Sequence, residues 1–569
     1  MILTLQFATF GQIMAEKEEV YSWDKGLWVD QVKDYIPEGC CTDISNFVYT
    51  PRKTLIPRAD FIKYGNSTGT FTSITNALVV TSRKYWPDWN EAGGLTGAIY
   101  HHKLGDTTTL GRACVIVTNK AVGLTQSMFY KGSTDSSFTL SVDTYSAALA
   151  TYFSRGLAQY RDRVYGTGYT GTVIQHHSYT NLFTGAAVVK TSTIVSTAGL
   201  VHTDVIVCMA SYKDRIWAVP ETAPYRIYYT EVAAAGGYPE NWNSGNNFVD
   251  VADRFGKISI KKMHSFGNKL YLFSDSGVFV LYAEGPVSSW SLQPVSLDMR
   301  VFSYDSSIQI DNTIVYTDRK AIYQFDGTSN KKLSLPIEDV FKDNNTCRLF
   351  EFENGIMAQF CNVGTVNIGG GIICYTFTAC THYYFDGEVW VKFDIDADYT
   401  GNLPGPVCFY RNISLDPKVT PHLVSVMVAQ NNGSMFYYNG ARFKGDDNYN
   451  GTVVANDYSV TTRYQGEPFY RLKRSKLGYL QALIKNGHTL YSKVFRSGGT
   501  APTAEANVVS TTEDDVSVKF IADGYYRKAA LQFYYTSDTS YAENDPPVEL
   551  KNAVLTIEDI EPTFDKVTQ

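Results

Sequence analysis

The sequence predicts an all-β fold: a β-propeller of about six or seven blades, with a loop-rich N-terminal segment and a C-terminal β-sandwich. Three observations predict it. Apolar and polar residues alternate with a period of two almost throughout, a cassette of aromatic residue, polar turn and strand recurs, and the composition suits pleated sheet. Among 569 residues there are 41 Tyr, 31 Phe and 44 Gly, and only 19% are charged, against about 25% in an average globular protein. The deficit lies in Lys, Glu and Arg, the residues of exposed helix faces, whereas Tyr, Phe, Thr and Val suit half-buried strands and Gly suits tight turns. A helical bundle, a coiled coil and a disordered chain are excluded. The length suffices for about three or four domains, with cores that need no disulfide or metal to hold them.

Residues 1–94 are the first segment. Gly26-Leu27, Tyr35 to Gly39, Asp43, Asn46-Phe47-Val48 and Arg52 read as loops with few strands, docking on a ring that spans residues 95–454. The ring's first unit runs from Leu95–Tyr100 through Gly105-Asp106 to Arg112–Val117 and Met128–Gly132. The cassette then appears as Tyr160–Gly166, Tyr212–Ala218, Phe266–Leu272, Ile310–Tyr316 and Phe352–Met357. Its equivalent positions Arg163, Arg215, Lys269, Thr313 and Gly355 lie 52, 54, 44 and 42 residues apart. After several copies a second strand ends in a turn, at Tyr229-Thr230-Glu231, Phe325-Asp326-Gly327, Phe385-Asp386-Gly387 and Tyr438-Asn439-Gly440.

Four-stranded units of about 40–50 residues that bury their faces by stacking on neighbours are the sequence signature of a propeller. The short strands Arg226–Thr230, Lys269–Phe273 and Gly277–Tyr282 are bounded by Gly, Asp, Asn or Ser, as that reading requires. Helix is confined to one or two turns at Ile337–Lys342, after Pro336, while Ser146–Tyr160 is ambiguous between helix and strand. Residues 455–569 alternate cleanly at Val516–Phe520, Ala530–Tyr535 and Ala553–Ile557, and read as a small sandwich with a loop at Gly498–Thr503.

The net charge is −7, with no run of Lys or Arg. A protein that grips nucleic acid by its phosphates needs a basic surface; a mildly acidic one lets DNA slide past without sticking. No stretch of 18 apolar residues is available to span a membrane, and Met1–Gln12 lacks the basic start of a signal peptide. The nine cysteines are odd in number and form no Cys-x-x-Cys. Several sit in apolar runs, among them Cys114 and Cys208, so they read as free buried thiols in a reducing compartment, with Cys40-Cys41 in a turn.

No motif for chemistry stands out, and the expectation is a protein that is not an enzyme and carries no cofactor. Gly369-Gly370-Gly371 lies between strands, so it lacks the helix N-terminus that a phosphate loop uses. His101-His102 and His176-His177 are adjacent pairs, and neighbours along a strand point to opposite faces, so neither pair chelates a metal alone. Asp394, Asp396 and Asp398, followed by Thr400-Gly401, place carboxylates at every second position, as in loops that wrap Ca²⁺. They are the one calcium candidate, although the glycine comes a position late and the closing Glu is absent; a solvated acidic turn is the plainer reading. No carboxylate pair stands out for glycoside hydrolysis. Ser274–Gly277 has the wrong offsets for a sialidase repeat, and Tyr383-Tyr384-Phe385 reads as blade core. The N-x-S/T sites at Asn66, Asn344, Asn412, Asn432 and Asn450 match chance in a chain of this composition.

One stretch carries a resemblance. Asp214–Ala218, Arg226–Thr230, Gly237-Tyr238-Pro239-Glu240-Asn241-Trp242, Phe248–Val251, Phe266–Phe273 and Gly277–Leu281 follow in order. This series resembles the propeller-bearing structural proteins of tailed bacteriophages, of the short-tail nozzle, hub or head–tail connector type. There a strand like R-I-Y-Y-S precedes P-E-N-W, and F-G-x-x-L-Y-V-F precedes I-Y-V-L. Lys25–Asp30 and Ile36 to Arg58 look like that family's opening segment, and Arg527–Phe533 like a strand of its C-terminal sandwich. Gly237-Tyr238 departs from the family's Gly-Asp.

The resemblance implies a virion component assembled in the host cytoplasm. Several copies, commonly six as a homohexamer, would ring the tail axis and form or extend the DNA exit channel. Portal or adaptor proteins and tail fibre proteins would dock on it, and DNA would pass without sequence-specific contact. Two other readings stand beside it. A carbohydrate-binding or glycan-degrading propeller, such as a receptor-binding tail component, requires an aromatic-lined mouth with convergent carboxylates. An intracellular scaffold propeller lacks the WD dipeptide or kelch double glycine that would mark it.

Overall fold

The structure is a computed structural model. It describes residues 17–29, 36–63, 95–102, 112–120, 125–130, 139–144, 158–160, 163–170, 173–180, 189–192, 206–233, 235, 237–242, 247–251, 255–303, 306–310, 312–344, 346–367, 373–395, 406–413, 423–429, 435–440, 442–448, 452–465, 472–485, 487–496, 504–509 and 515–560. Two compact units divide the chain. One comprises 59–440 and 445–454; the other comprises 1–58, 441–444 and 455–569.

The first of these is a β-propeller. Seven four-stranded antiparallel arrangements succeed one another among the described residues, with first strands Leu95–His102, Ala158–Tyr160, Ile206–Tyr212, Ile260–Phe266, Ser307–Ile310, Thr346–Phe352 and Pro406–Ile413. Each first strand lies against the next, and the seventh lies against the first, so the ring is closed. Six blades take their strands in chain order. The seventh borrows its outer strand, Asp60–Lys63, from before the ring, pairing Asp60 with Asn439 and Phe61 with Tyr438.

The sequence cassette is the first hairpin of a blade. Tyr160 pairs with Arg163, Tyr212 with Arg215, Phe266 with Lys269, Ile310 with Thr313, and Phe352 with Gly355. Lys213 and Asp214 take φ of 51° and 54°, and Gly267 and Asn268 take 54° and 60°. Two successive left-handed residues make the tight turn whose twist matches paired strands, and Asp, Asn and Gly tolerate that conformation. The core lies between blades. Tyr160 and Tyr165 of the second pack with Met209 and Ile216 of the third, and Trp217 and Tyr229 of the third with Met263 and Leu270 of the fourth.

The other unit has two sheets. One orders Phe47–Tyr49, Leu55–Pro57, Val548–Ile560, Leu472–Ile484 and Asp515–Tyr526, with Lys17–Tyr21 also on Val548–Ile560. The second contains Cys41–Ser45, Asp457–Thr462, Ala529–Thr536, Thr489–Arg496 and Ala504–Val509 in that order. Rings from the two sheets meet edge to face: Phe520 lies 5.6 Å from Phe533 and Phe47 lies 5.7 Å from Tyr458, centroid to centroid.

Three sequence expectations change. The boundary expected after residue 94 differs, because residues 17–57 contribute strands to the two-sheet unit and 60–63 to the ring, whereas the ring's unit ends at Val454, where the sequence placed it. These strands are three to five residues long. Several partners lie at the far end of the chain, so no local hairpin signal marks them. The short helix falls at Val340–Asp343, preceded by a 3₁₀ turn at Leu335–Ile337. Free thiols hold for Cys40, Cys41, Cys208 and Cys347, all buried, and burial pushes Cys40 up to about 11 and Cys208 up to about 12. They do not hold for Cys361 and Cys380, which form a disulfide. The register that pairs Phe360 with Thr381 sets the two opposite each other on neighbouring strands, just before it shifts at Asn362, and their sequence spacing gives no hint of it.

Gly478 tests the packing of the two-sheet unit. It pairs with Phe520 across the sheet, and a β-carbon there would fall within the Phe520 ring. Gly478→Ala is expected to destabilise by about 1–3 kcal/mol, read as a lowered midpoint in chemical denaturation; an unchanged midpoint would refute the packing.

Candidate functional site

The features that distinguish this propeller are those that close the ring and lock its blades. Closure begins with backbone pairing of Asp60–Lys63 and is reinforced by side chains that a four-residue strand rarely gathers. Asp446 Oδ1 accepts the Phe61 N–H at 2.6 Å, and Asp60 Oδ2 accepts the Gly445 N–H at 3.0 Å. The two carboxylates thus clasp reciprocally, and both residues are fully buried. Hydrogen bonds to charged acceptors are roughly twice as strong as neutral ones, more so where water is excluded. The Ala59 N–H donates to the Tyr438 hydroxyl at 3.0 Å. Phe61 sits 5.9 Å from Phe352 and 5.3 Å from Tyr438, and Phe352 also meets Tyr384 and Phe393. This aromatic knot joins the sixth blade to the seventh.

Elsewhere one blade reaches into the turn of the next. The Tyr160 hydroxyl donates to Asp214 Oδ1 at 2.7 Å, and the Tyr212 hydroxyl to the Asn268 carbonyl at 2.9 Å. The same cassette position is used twice, one blade apart. At the third copy the residue is Phe266, which has no hydroxyl, and its ring lies beside Gly327 in the following blade. Trp390 Nε1 donates to the Leu333 carbonyl at 2.9 Å. His264 Nε2 meets Ser307 Oγ at 2.9 Å, joining two first strands. Burial, and after it Lys262, pulls the His264 imidazole well below the ordinary histidine range.

The Pro239-Glu240-Asn241-Trp242 element is a wedge between blades. Trp242 is buried among Ala158, Tyr160 and Tyr165 of the second blade and Ile216 and Ala218 of the third. Glu240 Oε1 accepts the Tyr165 hydroxyl at 3.2 Å, while Asn241 Nδ2 donates to Glu231 Oε2 at 2.9 Å.

Turn carboxylates at this end of the blades are engaged locally. Asp326 accepts the amides and hydroxyls of Thr328 and Ser329, and the Ser329 hydroxyl, with those amides, holds its carboxyl below the usual range. Asp386 accepts the Glu388 and Val389 amides, and Glu284 takes Lys213 Nζ and Asn268 Nδ2. In the sixth blade a buried polar row crosses three strands: Arg348 Nη1 donates to Gln359 Oε1 at 3.1 Å, and Gln359 Nε2 lies 3.1 Å from His382 Nε2.

Of the calcium candidates, Asp394 is half exposed and paired with Lys392 Nζ at 2.7 Å; Asp396 and Asp398 lie outside the described residues. No group of three His, Cys, Asp or Glu among the described residues is placed to hold a metal. His101-His102 and His176-His177 end and occupy strands, the latter opposite Thr167 and Gly166. The sequence reading missed Asp60, Phe61 and Asp446. Asp60 and Phe61 form a strand too short to show periodicity, and Asp446 lies in a two-residue strand.

No family model and no curated protein matches the chain. Among solved structures, an exo-β-1,3-galactanase from Phanerochaete chrysosporium is similar at 7% identity, covering 72% of this chain and 96% of its own, with a TM-score of 0.25. The WD40 domain of Toxoplasma gondii coronin is 10% identical, covering 52% and 85%, with a TM-score of 0.25. A glycoside hydrolase family 43 arabinoxylan arabinofuranohydrolase from Bacillus subtilis is 12% identical, covering 71% and 96%, at 0.18. Likeness this distant says nothing of activity or substrate.

Two outcomes test the locks. Trp242→Ala is expected to cost about 3–5 kcal/mol, read by chemical denaturation, and a loss under about 1 kcal/mol would mean that the wedge is ornamental. His264 has a folded pKa below its unfolded value, so its contribution is complete above about pH 6.5 and is lost as pH falls below that. The wild-type thermal midpoint should therefore fall between about pH 7 and pH 5, and fall less in His264→Gln; parallel profiles would exclude His264 as a source.

Proposed function

We propose that the chain is a structural subunit of a bacteriophage tail, a nozzle or hub component of which several copies, most simply six, ring the DNA exit channel. The observation that carries this reading is the Tyr212–Tyr282 block. The residues that resemble the phage propellers are those that build the third and fourth blades, and the P-E-N-W element among them wedges the third blade onto the second. Physical considerations support it. A closed ring leaves its inner strands no free edge to peel under load. A net charge of −7 makes a wall that DNA passes rather than binds. A Tyr-rich, charge-poor chain suits broad permanent interfaces, whose centres are depleted of charge. Other tail proteins dock on the outside of such a ring, and the virion is its location.

Sedimentation velocity and negative-stain microscopy of the purified chain test the reading. The expected result is a ring at a sixfold multiple of the chain mass, with no release of sugar from any oligosaccharide panel. A monomer at every concentration, or a chain that hydrolyses a polysaccharide, would overturn it in favour of a glycan-active propeller.

A further inference from the structure

The sixth blade departs from its siblings. Its second and third strands, Gly355–Asn367 and Ile373–Phe385, are 13 residues each, whereas the corresponding strands of the other six blades have four to nine. The first strand stops pairing at Cys361, and the outer strand pairs no further than His382. Beyond them the pairs Asn362–Thr378 to Asn367–Ile373 continue as a two-stranded arm, reaching about 20 Å at roughly 3.3 Å per residue. No other strand among the described residues lies beside it. The Cys361–Cys380 disulfide ties the two strands at its root.

An isolated two-stranded hairpin is marginal in water, and natural proteins blunt exposed strand edges with charge or proline. This arm carries neither. From Asn354 to Phe385 the sequence has no Asp, Glu, Lys, Arg or Pro, and between Asn362 and Thr378 it is built from Val, Ile, Thr, Tyr, Phe, Gly, Cys and Asn. We infer that the arm formed by Asn362–Asn367 and Ile373–Thr378 is the edge by which one copy of this chain pairs with the next, its backbone completing the neighbour's arm by strand addition. This rests on the ring reading and deepens it. The arm has two different edges, Asn362–Asn367 and Ile373–Thr378, so each copy gives one and receives the other. Such head-to-tail contacts close into a ring where the rotation between copies closes, and run on as an open filament where it does not. A lipid surface fits less well, because open edges in hydrocarbon leave backbone groups unsatisfied at several kcal/mol each.

The test compares the full-length wild type, Thr365→Lys/Thr376→Lys, and a variant in which residues 363–377 are replaced by Asn-Gly. Sedimentation velocity reads assembly, urea denaturation reads folding, and flotation with phosphatidylcholine vesicles reads lipid binding. Both variants should raise the concentration of half-assembly at least about tenfold, with an unchanged unfolding midpoint and no vesicle binding by any form. If both variants assemble like wild type, the arm is not the contact, although the ring reading survives. A wild type that is monomeric throughout sinks the ring reading and the arm's role with it. Loss of assembly in step with a lowered unfolding midpoint, or vesicle binding that the arm changes abolish, also overturns the inference.

Discussion

The propeller depends on the seam where its chain ends meet. Each blade buries its faces against two neighbours, so the ring is stable as a whole only if the seventh blade is completed by a strand from before the first. That strand is four residues long, and backbone pairing over so short a run leaves little margin. The reciprocal bonds of Asp60 and Asp446 to backbone amides, and the packing of Phe61 against Phe352 and Tyr438, supply what length does not. A buried carboxylate is tolerated where amides take up its lone pairs, and it then fixes one register, since a shift by one residue would break both bonds at once.

The same economy explains the low charge of the chain. Asp326 and Asp386 accept backbone amides in their own turns, and Asp214 and Glu240 take tyrosine hydroxyls from the blade behind. Acidic residues therefore act as turn formers and interblade acceptors. The tyrosines serve twice, through ring packing in the core between blades and through a hydroxyl that reaches the next turn. This accounts physically for the joint abundance of Tyr, Gly and short polar residues.

Most of the ring was legible in the sequence because its signals are local. The cassette at Tyr212 or Phe266 joins apolar residue, left-handed turn and strand within seven residues, and the structure places each copy on a first hairpin. What escaped was long-range. Asp60 and Phe61 pair with residues at the far end of the ring, Lys17–Tyr21 pairs with Val548–Ile560, and Cys361 meets Cys380 through a strand register that no spacing encodes. The candidate site was less visible for the same reason: Tyr160 and Asp214 are ordinary residues until the blades are stacked. The acidic run at Asp394 was visible as a pattern, and the structure shows one member of it paired with Lys392.

The propeller is, in chain order, an insertion: the path leaves the two-sheet unit after Arg58, builds the ring, and returns for good at Ala455. During synthesis strands such as Lys17–Tyr21 must therefore wait while the ring emerges from the ribosome, since partners such as Val548–Ile560 are made after it. Ring closure needs nothing translated after residue 454, so the two units mature in an order opposite to that in which their chain begins. A nascent chain interrupted late would carry a finished propeller trailing orphaned strands, an aggregation hazard that favours rapid completion of the C-terminal segment.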